Sequence, residues 1–313
     1  MDELVFGPVP SRRLGISLGV NNIPHKVCSY SCAYCQVGKS NKIQIDRQVF
    51  YSPETLTKLV EQRLKKLKHQ DYPSYITIVP NGEPTLDINL GKLIENLKAF
   101  GLPVAVITNS SLIHRDDVKK DLLNADYLSF KIDTVNRNTW KQINKPHREL
   151  LLGECLNALL SFKKEYHGKL ITETMLIKDK NESDGELSAT AEFLQQLKPS
   201  IAYLSIPTRP PAFKDTSPPN EDILLKAYEI FNWYCLEVKY LSVYEGNEFS
   251  SSGDFEKDLL SITAVHPMRI DAVKELMLKT KINEIILQKL VDENKVKRIR
   301  YQNQTFIVRT FNE

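Results

Sequence analysis

Seven short apolar runs rich in β-branched residues recur in the first 245 residues, at 16–20, 75–79, 104–108, 127–132, 171–177, 203–206 and 238–243. Between them lie longer stretches with apolar residues at helical spacing. Leu56, Leu59, Val60, Leu64 and Leu67 form one such stripe, and Leu152, Leu156, Leu159 and Leu160 another. Strands alternating with helices of this length predict βαβ units, a parallel sheet and hence an α/β fold. Seven units are too many for a small flavodoxin-like sheet. A full or partial (β/α) barrel is expected, with its chemistry at the C-terminal ends of the strands.

The pattern changes near Gly246. Residues 246–253, Gly-Asn-Glu-Phe-Ser-Ser-Ser-Gly, read as a polar, flexible linker. Helical segments are expected at 254–264, 269–279 and 283–294. Two alternating strands follow at 296–301 and 305–310, around a Gln-Asn-Gln turn. Three helices and a terminal hairpin read as a small winged-helix domain. The expected organisation is a barrel at 1–245, a linker at 246–253 and a winged-helix-like domain at 254–313.

The charge balance, 42 basic against 39 acidic residues, excludes a broadly basic nucleic-acid binder, so any basic patch is local. One such patch is Lys295-Val296-Lys297-Arg298-Ile299-Arg300 in the terminal hairpin. No apolar run approaches the ~18 residues of a membrane span. The start, Met1-Asp2-Glu3, lacks the layout of a signal peptide. A cytoplasmic protein is expected, with no membrane partner.

There are five cysteines, and three of them, Cys28, Cys32 and Cys35, fall within eight residues. In a reducing compartment this is a metal-binding cluster rather than a disulfide framework. It follows the first expected strand, in a loop where a barrel would place its active site. Thiolates are the usual ligands of iron–sulfur clusters. Three of them satisfy three irons of a cubane and leave the fourth open. His25 stands three residues before Cys28, so a tetrahedral Cys3His zinc site is also possible from these residues alone.

Cys-x3-Cys-x-aromatic-Cys resembles the signature of the radical S-adenosylmethionine (radical SAM) superfamily. The resemblance implies that Cys28, Cys32 and Cys35 hold a 4Fe-4S cluster whose open iron binds S-adenosylmethionine. Reductive cleavage then releases a 5′-deoxyadenosyl radical that abstracts hydrogen from a substrate. Tyr34 would lie near the adenine. Val79-Pro80-Asn81-Gly82-Glu83-Pro84-Thr85 resembles the family's Gly-Gly-Glu element, with Asn81 in place of the first glycine. The backbone there and Glu83 would hold the cofactor's amino group. Asn109, in a Thr-Asn-Ser element, and Ser129, Lys131 and Asp133, which share one strand face, are the remaining cofactor candidates. A mutual ion pair is the plainer reading of Lys131 and Asp133. Glu173 and Met175 are expected to face the lumen, and Arg209 is a candidate for an anionic substrate.

Gly7-Pro8-Val9-Pro10-Ser11-Arg12-Arg13, with Pro146-His147-Arg148, Arg209-Pro210-Pro211 and His266-Pro267-Met268-Arg269, resembles an iron–sulfur oxidoreductase subgroup related to wyosine-forming tRNA enzymes. Arg12 and Arg13 would greet phosphate or carboxylate, or brace the barrel mouth. Those tRNA enzymes hold a second cluster on three further cysteines. Only Cys155 and Cys235 remain here, and both read as small core residues, so one cluster is expected. The resemblance implies a reducing partner such as flavodoxin or ferredoxin. It leaves tRNA and peptide as candidate substrates. The competing expectation is a zinc-bearing nucleic-acid-binding protein.

Overall fold

The computed structural model describes residues 4–241, 246–247 and 249–311. In chain order the first part contains β1 (Val5–Ser11), β2 (Gly15–Val20), the short β3 (Val27–Cys28) and β4 (Lys42–Ile43), and α1 (Pro53–Lys65). It continues with β5 (Tyr75–Ile78), α2 (Leu90–Lys98), β6 (Val104–Thr108), α3 (Asp116–Leu122) and β7 (Tyr127–Lys131). Then come α4 (Arg137–Ile143), α5 (Leu152–Glu165), β8 (Lys169–Met175), α6 (Asp184–Leu197), β9 (Ile201–Ser205), α7 (Glu221–Trp233) and β10 (Val238–Tyr240).

Eight of these strands form one sheet in the order β1-β2-β5-β6-β7-β8-β9-β10. From β2 to β10 every neighbouring pair is parallel, and β1 runs antiparallel to β2. All seven expected strands are present, in a mostly parallel α/β sheet consistent with a partial barrel. The seventh expected strand is described only to Leu241, and its last residues lie outside the described ones. β1 and β10 end the sheet as edges, and Arg12, in the β1–β2 turn, donates to the Leu241 carbonyl just beyond β10.

Alternation along the strands divides the two faces. Leu18, Val20, Ile76, Ile78, Val104, Val106, Leu128 and Phe130 are buried in the main core with the helices. Ser17, Gly19, Thr77, Val79, Ile107, Lys131, Glu173 and Met175 instead line a cavity. The helices begin where the sequence provides caps: Ser52 accepts from the Thr55 amide ahead of α1, and Ser183 from the Glu186 amide ahead of α6.

Beyond the sheet are α8 (Phe255–Val265), β11 (Met268–Arg269), α9 (Ile270–Thr280), α10 (Glu284–Asp292), β12 (Val296–Tyr301) and β13 (Gln304–Arg309). The last strands form a separate antiparallel sheet in the order β11-β13-β12. This C-terminal part has its own core, but Phe6 and Val9 of β1 belong to it. Gly19 makes this possible, because a Cβ there would fall about 2.1 Å from the Phe6 ring. The stretch read as a flexible linker is pinned where it is described. Phe249 is buried, and Ser251 and Ser252 both donate to Asp258, which also pairs with Arg63 of α1 at 3.1 Å.

Cys155 is buried as expected, but Cys235 is exposed. The α7 helix ends at Trp233, and Cys235 takes a left-handed backbone with φ 57°, which ends the apolar stripe before it reaches the cysteine.

Candidate active site

The cysteine loop joins β2 to α1 and is gripped by the ends of other strands. Lys26 N donates to Asn81 O at 3.1 Å, and Glu83 N to Val27 O at 3.1 Å. Gly82 is what lets these two segments meet, since a Cβ there would lie 2.1 Å from the Val27 carbonyl oxygen. On the other side Ser31 N and Ala33 N donate to the carbonyls of Asn144 and Ile143, at 3.1 and 2.7 Å.

Cys28, Cys32 and Cys35 are free, half-buried thiols, and all three line a cavity of about 330 Å³. Burial raises the pKa of each, that of Cys32 to about 12. Metal-free, the thiols are therefore protonated, and a bound metal must displace those protons. Two side-chain amides are already aimed at the sulfurs. Asn109 Nδ2 stands 3.6 Å from Cys28 Sγ, and Asn144 Nδ2 stands 3.5 Å from Cys32 Sγ. The donor set, its burial and these amides fit an iron–sulfur cluster.

The segment after β5 is fixed by Glu83. Its Oε1 accepts from Thr85 N at 3.1 Å and from the hydroxyls of Thr85 and Thr108, each at 2.6 Å. Its Oε2 accepts from Asn109 N at 2.8 Å. Glu83 thus ties the ends of β5 and β6 together with a fully engaged carboxylate. Asn81 is buried, 3.1 Å from His25 Nδ1 and 3.3 Å from Asn21. Asn109 also donates to Ser29 Oγ at 2.8 Å, and its Oδ1 accepts from Ser111 N.

β7 and β8 supply the charged wall. Lys131 Nζ lies 3.4 Å from Asp133 Oδ1 and 3.2 Å from Glu173 Oε1, and 4.7 Å from the centre of the Tyr34 ring. Burial pulls its pKa down, and the charge of Asp133 opposes that. Asp133 accepts from Met175 N at 2.8 Å, from Asn144 Nδ2 at 2.6 Å and from the Tyr34 hydroxyl. Tyr34, Asp133, Asn144 and Cys32 are therefore one network. Ser129 lies on the same strand face as Lys131, fully buried, and its Oγ has no partner.

Several residues at the site are not legible in the sequence. Asn144 is an isolated polar residue at the end of α4, and its only signal is its place just before the Pro146-His147-Arg148 element. Lys26 and Gln36 sit inside the cysteine segment and also line the cavity. Gln36 donates to the Val265 carbonyl at 2.9 Å and accepts from Arg209 at 2.6 Å, and Arg209 lies 3.2 Å from His266 Nε2. Val265 and His266 line the cavity, so the C-terminal part closes one side of it. Tyr301 also donates to the Pro207 carbonyl at 3.0 Å.

His25 does not join the thiols. Its ring stacks on Phe311 with centroids 3.2 Å apart, and burial, then Lys26 and Arg309, lower its pKa to about 4. Among the described residues no three His, Cys, Asp or Glu side chains converge as a single ion would require. A Cys3His zinc centre is not favoured.

A family model described as the radical SAM superfamily matches residues 22–194. The chain is 46% identical over 308 residues to a UPF0026 protein of Methanocaldococcus jannaschii, covering 98% of this chain and 96% of that one. It is 34% identical to a UPF0026 protein of Helicobacter pylori over 85% of each chain. Among solved structures, a radical SAM methyltransferase from Sphaerobacter thermophilus aligns with a TM-score of 0.55 at 15% identity, over 72% of this chain and 66% of that one. TYW1 with a lysine-pyruvate adduct bound aligns with a TM-score of 0.52 at 18% identity, over 69% and 73%. At these identities the two structures are alike in fold. Cluster-bearing enzymes on an open, mostly parallel sheet are the class that this fold and cysteine loop define. The chain belongs to the radical SAM superfamily. Enzymes of that superfamily use a 4Fe-4S cluster and S-adenosylmethionine.

Proposed function

We propose that Cys28, Cys32 and Cys35 hold one 4Fe-4S cluster and that S-adenosylmethionine binds beside it in the cavity. When bound, the cluster supplies the electron that cleaves S-adenosylmethionine to a 5′-deoxyadenosyl radical, which abstracts hydrogen from a substrate. The observation that carries this reading is the set of three free thiols on one loop, all lining one cavity, with amides aimed at two of the sulfurs.

The chain's own residues have distinct tasks in this proposal. Glu83 keeps the ends of β5 and β6 in register, so that the backbone at Asn81 and Gly82 is in place for the cofactor's amino group. Asn109 holds Cys28, and Asn144 holds Cys32 and Tyr34. Lys131, Asp133 and Ser129 form the wall for the polar remainder of the cofactor. Substrate turnover proceeds in the cytoplasm with electrons from a flavodoxin- or ferredoxin-like donor. No described helix is long and apolar enough to cross a membrane.

The proposed division is a catalytic unit at 1–245, a connection at 246–253 and a winged-helix-like unit at 254–313 that serves substrate recognition. Three helices with a small antiparallel sheet, and the placement of Val265 and His266 in the cavity wall, support it. Candidate substrates are to be sought as mass changes in tRNA and peptide extracts.

The test is anaerobic reconstitution with iron and sulfide, followed by assay of 5′-deoxyadenosine. The wild type is expected to bind about four irons and form deoxyadenosine. Cys35→Ala is expected to lose at least about a hundredfold of that activity. Equal product from both, or a colourless protein that takes up only zinc, would refute the reading.

A further inference from the structure

The chain carries no Asp or Glu from Leu4 to Ile45, and Lys26, Lys39 and Lys42 all fall in that stretch. The cysteine loop therefore has no acid of its own to set against its lysines.

The fold gathers more positive charge around the exposed end of this loop. Asn41 N donates to Lys26 O at 3.2 Å, which turns the end of the loop back on its start. Lys26 Nζ rests on Gly38, where a Cβ would collide with it. The next residue, Lys39, places its Nζ 4.6 Å from the centre of the Phe213 ring, and Lys145 places its own 4.8 Å from the same ring. Phe213 N donates to Ala33 O at 3.1 Å, and Ser31 N to Lys145 O at 3.1 Å, so both flanks are fastened to the cysteine loop itself. Lys297 of β12 stands near enough to Lys26 for its charge to be felt there.

Lys39, Lys42 and Lys297 are exposed and Lys145 is half-buried. Among the described residues none of these four forms an ion pair with a carboxylate. The acids nearest in sequence are matched elsewhere. Glu149 pairs with Arg148 at 3.7 Å, Asp46 acts on Arg115, and Asp215 has Lys214 beside it in the chain. Like charges gathered in this way repel one another, and a partner of opposite charge relieves the repulsion.

We propose that Lys39, Lys42, Lys145 and Lys297 form the docking face for an acidic electron-donor protein of the flavodoxin or ferredoxin type. This rests on reading the three cysteines as the cluster site of a radical SAM enzyme. The face borders the loop that carries those cysteines, so a donor seated on it has its redox centre beside the cluster. One electron leaves the donor, which is oxidised, and enters the cluster, which is reduced; no proton or group moves with it. Such encounters bury little area and are steered by charge. A nucleic acid suits the face less well. Bases stack on free aromatic rings, but Phe213 is taken by two lysines and Phe311 by His25. The helix that a winged-helix unit would present to a groove, α10, begins at Glu284, ends at Asp292 and has Lys289 as its one basic residue.

The test follows reduction of the anaerobically reconstituted full chain by stopped flow, with a reduced, acidic flavodoxin as donor. Photoreduced deazariboflavin, small and uncharged, is the reference reductant. Wild type is compared with Lys42→Glu and with the double variant Lys39→Glu/Lys145→Glu, after circular dichroism has checked folding. The flavodoxin rate constant is expected to fall about tenfold in the double variant and severalfold in Lys42→Glu, while the reference rate holds. Added salt should slow the flavodoxin reaction of the wild type and spare the reference, which decides the matter if the variants do not fold. Unchanged flavodoxin rates in folded variants, or a wild-type rate indifferent to salt, would overturn the proposal. Duplex RNA binding that the same variants weaken, with the flavodoxin rate unmoved, would assign the face to a nucleic acid instead. Flavodoxin binding by calorimetry and deoxyadenosine are measured on the same preparations. Binding that the charge reversals abolish, without deoxyadenosine from either reductant, would remove the radical reading and leave the docking face. Deoxyadenosine from both reductants, with no effect of the reversals, would do the reverse.

Discussion

Beside the cysteine loop, the Glu83 carboxylate takes four donors and the amides of Asn109 and Asn144 reach two sulfurs. Across β8 and the β1–β2 turn, two cations, Arg13 and Lys131, share Glu173 and Arg13 Nε has no partner, while behind them Tyr127 Oη and Ser129 Oγ of β7 are buried likewise without one. The first wall is organised before anything binds, which suits a resident cofactor whose geometry must not drift. The second is polar and incompletely satisfied, which suits a ligand that arrives and leaves. A saturated wall lends rigidity, and an unsaturated one keeps binding energy for its ligand.

Glu83 tests the saturated wall. Glu83→Gln places an amide nitrogen where Asn109 N–H or the threonine donors now bond. Unfolding in denaturant is expected to show a loss of about 3 kcal/mol. A loss under about 0.5 kcal/mol would mean that Glu83 does not brace these strand ends.

Asn144→Ala is a milder change on the same wall. It removes the donor to Cys32 and one partner of Asp133, at an expected cost of about 1–2 kcal/mol. Iron content should hold, while the reduction potential of the reconstituted cluster moves to a more negative value, since hydrogen bonds to sulfur favour the reduced state. An unchanged potential in an EPR-monitored redox titration would contradict a hydrogen bond to the cluster ligand.

The smallest expected effect is in pH. His25 has a folded pKa of about 4 against an ordinary 6.5. The unfolded chain therefore binds the proton first, and stability falls as pH drops from about 6.5 towards 4. His25 is partly exposed, so solvent screening holds the effect to under about 1 kcal/mol. His25→Phe keeps a ring against Phe311 and should flatten this part of the stability–pH curve; a curve identical to the wild type's would reject the assignment.

Much of this fold is legible in sequence because the sheet strands are apolar, β-branched and evenly spaced. β1 is not, for a physical reason. Pro8 and Pro10 interrupt its pattern, and its register with β2 shifts between Phe6 and Val9. An edge strand tolerates such prolines because one of its sides needs no ladder partner. The three thiols and the Asn81-Gly82-Glu83 turn announce themselves by local spacing. Asn144 does not, because its value depends on where α4 ends relative to Cys32. Val265 and Phe311 are equally invisible, since they reach the cysteine loop across more than two hundred residues, and His266 stands in a legible element whose spacing does not place it on the cavity. Cys235 misled because an amphipathic stripe does not tell where its helix stops.

The proposed cluster on Cys28, Cys32 and Cys35 has one iron open to S-adenosylmethionine. EPR of the anaerobically reconstituted and reduced full chain, recorded before and after adding S-adenosylmethionine, tests it most directly. The account predicts a reduced 4Fe-4S signal in the wild type that changes when S-adenosylmethionine is added, and its loss in Cys35→Ala. A 4Fe-4S signal that S-adenosylmethionine leaves unaltered would contradict it.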